Sequence, residues 1–248
     1  MIRVQTVDSM YAGSCAFAYD DLTRADQSEI LEVTSALQQA PDGVVIDAAC
    51  GSGRLALPIA ERTKRPVAAI DTSHELLQLL DERAHNARVS DQIQALHGSI
   101  LDPGSLPDLA AAYVLGTSTL SLFDKAQRET LLSVAYNALS DDGLLILSVF
   151  ERPTAGTRVV TKGMSGATYC ITNTLNPDGT YLSAISFGKD LGDGACGGQM
   201  SCTSVLYPLE ADEILAQLTS LGFTIMQTAR LDESSAHQLI SARKQREK

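Results

Sequence analysis

The sequence predicts an α/β fold: a parallel sheet with helices on both faces, plus a small antiparallel β insertion. Three observations carry that prediction. Apolar strand-like runs alternate with helical periodicity from residue 44 to residue 150. Those runs are continuously apolar, as strands covered on both faces are. After Glu151 the pattern shifts to runs rich in Thr, Tyr, Ile and Val, joined by a turn, which reads as antiparallel.

Residues 1–25 show little periodicity but contain Tyr11, Phe17 and Tyr19. Asp26, with Glu29 three positions on, forms a capping box ahead of a helix whose Ile30, Val33 and Leu37 share one face. Residues 44–47 are the first strand, 54–63 a helix and 66–71 the second strand. Ser73 caps a helix that runs to about residue 87. Residues 93–97 and 110–116 are the third and fourth strands, 125–139 a helix and 144–150 the fifth strand. Right-handed crossovers follow. Runs at 158–161, 167–175 and 181–187 form the small sheet, with a turn at Asn176-Pro177-Asp178-Gly179. Residues 188–199 hold five glycines and read as a loop. A helix at 209–221, stopped by Gly222, precedes two final strands at 223–230 and 236–243. The organisation expected is an N-terminal lid and helix at 1–43, a core at 44–151 and 208–248, and a substrate-binding insertion at 152–207.

The chain of 248 residues can bury a large core. Its formal charge of −11 disfavours nucleic acid or an anionic membrane as partner, because phosphate neutralisation needs basic surface. No apolar run approaches the roughly 20 residues of a membrane span. The N-terminus lacks the layout of a signal peptide, so a cytoplasmic location is expected. The five cysteines are odd in number and include no Cys-x-x-Cys, and the four histidines are scattered. Neither a metal site nor a disulfide framework is expected.

The most informative stretch is Val44-Val-Ile-Asp47-Ala-Ala49-Cys50-Gly51-Ser-Gly53-Arg54. Gly51-Ser-Gly53-Arg54-Leu-Ala56 satisfies the dinucleotide pattern, and Asp71 stands where a ribose-binding acid would be. Against that, three residues separate Asp47 from Gly51, and a carboxylate beside a pyrophosphate would be repelled. Asp47 suits a ligand with a cationic group, or else orients the loop through hydrogen bonds.

This stretch resembles motif I of class I S-adenosylmethionine-dependent methyltransferases, D/E-x-G-x-G-x-G, with Ala49 in place of the first glycine. Ala69-Ile70-Asp71-Thr72-Ser73 resembles the family's second-strand acid. Leu139-Ser-Asp-Asp-Gly143-Leu-Leu-Ile146 resembles its turn into the fifth strand, and Leu221-Gly222-Phe223 its approach to the sixth. The resemblance covers roughly 44–150 and 208–243. It implies a Rossmann-like, seven-stranded methyltransferase sheet, S-adenosyl-L-methionine as cofactor and S-adenosyl-L-homocysteine as product.

It also implies roles. Backbone at Ala49, Gly51 and Gly53 would approach the methionine part, since glycine lacks a Cβ. Arg54 would pair with the methionine carboxylate, or else be a solvated first-turn arginine. Asp71, with Thr72 beside it, would accept the ribose hydroxyls. Ser99 stands where the family has an adenine-side acid, and Ile100 would pack on the ring. Leu115 and Gly116 would line the methyl side. Tyr19 resembles an N-terminal lid tyrosine.

Methyl transfer needs positioning more than a dedicated dyad. Glu151, just after the fifth strand, is the candidate proton acceptor, unless it serves as a cap; Tyr11 is a second catalytic candidate. Tyr169 and Tyr181 would line the substrate side or pack within the small sheet. The basic clusters and N/D-P-P-Y/F motif of nucleic-acid methyltransferases are absent from the sequence. The stretch 114–124 with Cys50–Pro58 resembles methyltransferases of ribosomally made peptides, the daptide type in particular. That implies an N-methyltransferase acting on a peptide or small-molecule amine, dimethylation included. O-methylation of a small metabolite and a non-catalytic methyltransferase-like scaffold stand as alternatives. A homodimer is left open.

Overall fold

The computed structural model describes residues 5–7, 9–23, 27–116, 119–151, 155–156, 158–190, 196–231 and 237–246. The chain divides into two compact units. One comprises residues 1–26 and 152–208; the other comprises 27–151 and 209–248.

The elements run in chain order β1 (Gln5–Val7), α1 (Gly13–Thr23), α2 (Ser28–Ala36), β2 (Val45–Ala48), α3 (Ala56–Thr63), β3 (Val67–Asp71), α4 (His74–Ala87), β4 (Ile93–His97), β5 (Ala110–Leu115), α5 (Lys125–Ala138) and β6 (Leu139–Phe150). They continue with β7 (Arg158–Lys162), β8 (Thr168–Leu175), β9 (Tyr181–Asp190), β10 (Cys196–Leu206), α6 (Ala211–Ser220), β11 (Phe223–Arg230) and β12 (His237–Lys244).

The larger unit holds the seven-stranded sheet, in the order β11-β12-β6-β5-β2-β3-β4. β12 runs antiparallel to both neighbours; the pairs from β6 to β4 are parallel. The chain steps from β2 outward to β3 and β4, then returns to β5 on the other side of β2. Such a reversal opens a crevice at the strand C-termini, where ligands of open α/β sheets bind.

Strand side chains alternate between two cores. Val45, Ala112, Val114, Ile146 and Leu239 pack with Ile30 and Val33 of α2, Ile59 of α3 and Leu80 of α4. Ile46, Tyr113, Leu115, Leu147 and Ile240 pack with Leu131 and Leu132 of α5 and Ile214 and Leu218 of α6. Ile59, Leu80, Leu131 and Leu132 are fully buried. Each such side chain contributes roughly 1.5–3 kcal/mol over its exposed state, and this covers both faces of the sheet.

The expected cap holds at α4. The Ser73 hydroxyl accepts the Leu76 amide at 3.4 Å. At α5, Asp124 and Gln127 form a reciprocal capping box. At α2 the expectation fails. The helix begins at Ser28 with Gln27 as a cap that makes no side-chain bond, Asp26 lies outside the described residues, and Glu29 points inward. Arg54 also falls outside its helix, because the chain turns through residues 51–55 before α3 starts.

In the smaller unit the sheet order is β1-β10-β9-β8-β7, with β1 parallel to β10 and the other pairs antiparallel. The expected glycine loop at 188–199 is partly sheet: β9 reaches Asp190 and β10 starts at Cys196, with an irregularity between Gly198 and Met200. Ladder bonds are made by backbone, which glycine supplies, and glycine marks the irregularity. Met10, Cys15, Ala18, Tyr169, Ile185 and Cys202 make a small core. Cys15 and Cys202 form a disulfide, 187 residues apart, with Cα atoms 5.7 Å apart. Counting cysteines along the chain pointed the other way, because folding brings α1 onto β10. Asp21 of α1 accepts the Ser165 amide, the Ser165 hydroxyl and the Tyr169 hydroxyl, at 2.7, 2.7 and 2.8 Å.

Candidate functional site: the glycine turn and its buried acids

β2 delivers Asp47 to the C-terminal edge of the sheet. Asp47 shares strand parity with Val45, so its side chain lies on the α2–α3–α4 face and is buried. Its Oδ2 has no hydrogen-bond partner among the described residues. Burial raises its carboxyl from an ordinary 3.8 to about 7; Arg54 and the Ala56 amide oppose the rise, and Glu29 and Asp71 add to it. Next comes Ala49, whose φ of +57° is left-handed. An L side chain there costs roughly 1–2 kcal/mol, so the departure from glycine is tolerated at a cost in strain.

Gly51 and Gly53 also have positive φ, +56° and +85°. They differ in surroundings. A Cβ at Gly51 would meet Leu76 Cδ1 at an ordinary 3.8 Å, whereas one at Gly53 would stand 2.3 Å from Leu80 Cδ1. Gly53 is needed for packing of the turn on α4; at Gly51 it is the left-handed φ, and not crowding, that favours glycine. Arg83 of α4 braces the turn by donating to the Ser52 carbonyl at 3.2 Å. The Cys50 thiol is buried and held well above its ordinary pKa by burial and by Asp47 and Asp71.

Asp71 ends β3. One oxygen accepts the Gly51 amide at 2.8 Å and the other the Ser73 amide at 2.8 Å. The acid thus links the turn after β2 to the start of α4. Thr72 beside it is exposed, with its carbonyl 3.1 Å from His97 Nε2. His74 and His97 stack with centroids 4.4 Å apart, so two of the four histidines expected to be scattered meet at this rim.

After β4, the Ser99 hydroxyl accepts the Leu101 amide at 3.2 Å. Ile100 is buried in the core with β3 and β5. Leu115 ends β5, buried, in register with Ala48 and Leu147. A Cβ on Gly116 would lie 2.8 Å from Leu55 Cδ1 and 3.3 Å from Arg54 Nη2. Arg54 therefore crosses the end of β5. It is not a solvated arginine: its guanidinium is ion-paired with Glu29, which is fully buried and also accepts the Ser148 hydroxyl.

Glu29 and Ser148 are the site residues that sequence reasoning missed. The signal was present, since Glu29 sits four and seven residues before Val33 and Ala36 on the buried stripe of α2. A carboxylate on an apolar stripe asks for a buried partner.

The remaining candidates make contacts of their own. Glu151 Oε1 accepts the Ala211 amide at 2.8 Å, so its carboxylate caps α6. Tyr11 and Tyr19 belong to the smaller unit, with their rings edge to face at 4.9 Å. Tyr169 is buried and donates to Asp21, and Tyr181 is buried too. Among the described residues no group of three or more His, Cys, Asp or Glu could hold a metal ion. No helix among them is long and apolar enough to cross a membrane.

A family model described as a methyltransferase domain matches residues 45–143. No curated protein matches the chain. Solved structures do. The CcbJ methyltransferase from Streptomyces caelestis is 18% identical, with a TM-score of 0.77 over 96% of this chain and 97% of that one. CalS10, an amino pentose methyltransferase from Micromonospora echinaspora solved with S-adenosylmethionine bound, is 16% identical, with a TM-score of 0.68 over 96% and 99%. The glycopeptide N-methyltransferase MtfA, complexed with S-adenosylmethionine, is 19% identical, with a TM-score of 0.62 over 86% of each chain. Residues 45–143 thus resemble a methyltransferase domain, and the chain shares the fold of those structures.

Proposed function

We propose that this chain transfers a methyl group from S-adenosylmethionine to an amine in natural-product biosynthesis. The observation that carries the cofactor half is the unpartnered, buried Oδ2 of Asp47 beside the glycine turn. A buried carboxylate oxygen without a hydrogen bond is costly, and a cationic ligand relieves that cost where a pyrophosphate would aggravate it. The turn is compatible with the rest of the ligand: a Cβ at Gly51 would meet Leu76 at an ordinary 3.8 Å, and Asp71, which holds the Gly51 amide, is the acid we assign to the ribose hydroxyls.

When bound, S-adenosylmethionine supplies an electrophilic methyl on a sulfonium. The chain's contribution is placement and exclusion of water. We assign Asp47 and the turn to the amino-acid end and Asp71 to the ribose end; Ile100 and Leu115 lie in the core on the other face of the sheet. With Glu151 engaged as a cap, it is given no proton-accepting role here; a cationic amine would give up its proton to bulk water before attack.

The amine acceptor rests on two supports. The formal charge of −11 suits a substrate that is cationic before reaction. Two structural neighbours are described as an amino pentose methyltransferase and a glycopeptide N-methyltransferase. Within that class, the terminal amine of a modified peptide is the acceptor we favour, dimethylation included, and a small-metabolite hydroxyl is the competing acceptor. The test is incubation with S-adenosylmethionine and matched peptide-amine and phenolic acceptors, read by mass spectrometry. Gains of 14 or 28 Da on the amine alone, the mass of one or two methylene units, support the reading; transfer to the phenol alone overturns it.

A further inference from the structure

We infer that Glu29 is a positioning residue that fixes the Arg54 guanidinium at the end of β5, where it meets the carboxylate of the cofactor's amino-acid moiety. This rests on the cofactor reading above.

The geometry is a buried relay across three elements. Glu29 of α2 is fully buried, and its two oxygens are used in different directions. One takes Nη2 of Arg54, in the turn after β2; the other takes the hydroxyl of Ser148, near the C-terminal end of β6. A carboxylate held at two points cannot swing, so neither can the guanidinium it holds. The guanidinium fork has five N–H donors, which lets one nitrogen be anchored while the fork addresses a second carboxylate bidentately.

The place where it is held matters. Arg54 Nη2 would stand 3.3 Å from a Cβ at residue 116, and Glu29 Oε1 3.8 Å from it. Glycine at 116 therefore lets this pair lie against the end of β5, beside β2, at the reversal of the sheet. Asp47 also attracts Arg54. Without Glu29, Asp47 would draw the guanidinium toward itself, and the cationic end and the anionic end of the ligand would lose their separate partners.

The proposal predicts a sign opposite to simple charge counting. Removing a negative charge beside Arg54 should, by Coulomb's law alone, strengthen binding of an anionic group. Loss of positioning weakens it. The experiment is calorimetry of wild type, Glu29→Gln and Ser148→Ala with two probes: S-adenosylhomocysteine, and 5′-methylthioadenosine, which lacks the amino-acid end. For Glu29→Gln, S-adenosylhomocysteine should bind on the order of tenfold more weakly and methylthioadenosine within about twofold of wild type. Ser148→Ala keeps the charge and should shift only the first probe, by about threefold; it carries the test if Glu29→Gln does not fold. An S-adenosylhomocysteine affinity that is unchanged or tighter overturns the proposal. So does equal weakening for both probes, which marks a purely structural pair. Wild type that binds neither probe overturns the cofactor reading itself, and this inference with it.

Discussion

Asp71 accepts the amide of Gly51 at 2.8 Å across 20 residues of sequence, and the same carboxylate accepts the amide of Ser73 at 2.8 Å. One acid thus shapes the glycine turn and starts the next helix before any ligand is considered. Its expected role toward ribose is added to that structural one.

Replacing Asp71 should therefore show in two measurements at once. Asp71→Ala leaves two amides unsatisfied and should cost about 2–4 kcal/mol in denaturant unfolding. It should weaken S-adenosylhomocysteine binding by about 100-fold. Asp71→Asn keeps one acceptor oxygen and should fall between wild type and Ala in both. A variant that loses stability but binds as wild type would remove the ribose role and leave the structural one.

Asp47 makes a prediction about pH. Its folded-state value of about 7 lies above its ordinary 3.8, so the folded chain holds this proton more tightly than the unfolded chain. The stability this contributes is full below about pH 4 and is lost as pH rises through about 7. Asp47→Asn should accordingly gain stability relative to wild type as pH rises between those values, in unfolding titrations without ligand. Binding of S-adenosylmethionine favours the ionised carboxylate. Wild-type affinity should rise with pH up to about 7, by at most tenfold per pH unit, and the Asn variant should lack that slope. Parallel wild-type and variant curves would contradict the assignment.

Within the turn, two substitutions should act in opposite directions. Ala49→Gly relieves a left-handed φ of +57° and should stabilise the apo protein by about 1 kcal/mol, less the extra freedom glycine brings to the unfolded chain. Gly53→Ala sets a Cβ 2.3 Å from Leu80 Cδ1 at a φ of +85° and should destabilise by about 2–4 kcal/mol. Urea midpoints at constant m-value would check both.

The Cys15–Cys202 disulfide closes a loop of 187 residues. Cys15→Ser should cost about 2–4 kcal/mol. Reductant should lower the thermal midpoint of wild type and leave that of the variant unmoved. Equal sensitivity of both proteins would show that the link does not form.

What the sequence by itself determined is the local part. The seven strands, the helices between them and the glycine turn follow from short-range periodicity, and the Ser73 cap from residues within a few positions of it. Asp47, Gly51, Gly53 and Asp71 were legible because motif and strand ends are also local. Only tertiary structure decided the partners. Glu29 was read as a cap, yet it meets Arg54 and Ser148, which lies 119 residues away. Glu151 caps α6 across 60 residues, and Cys15 finds Cys202. The physical reason is common to all three. Burial obliges a charge or a thiol to find a partner, but which partner depends on how elements from distant parts of the chain are stacked, and no periodicity encodes that.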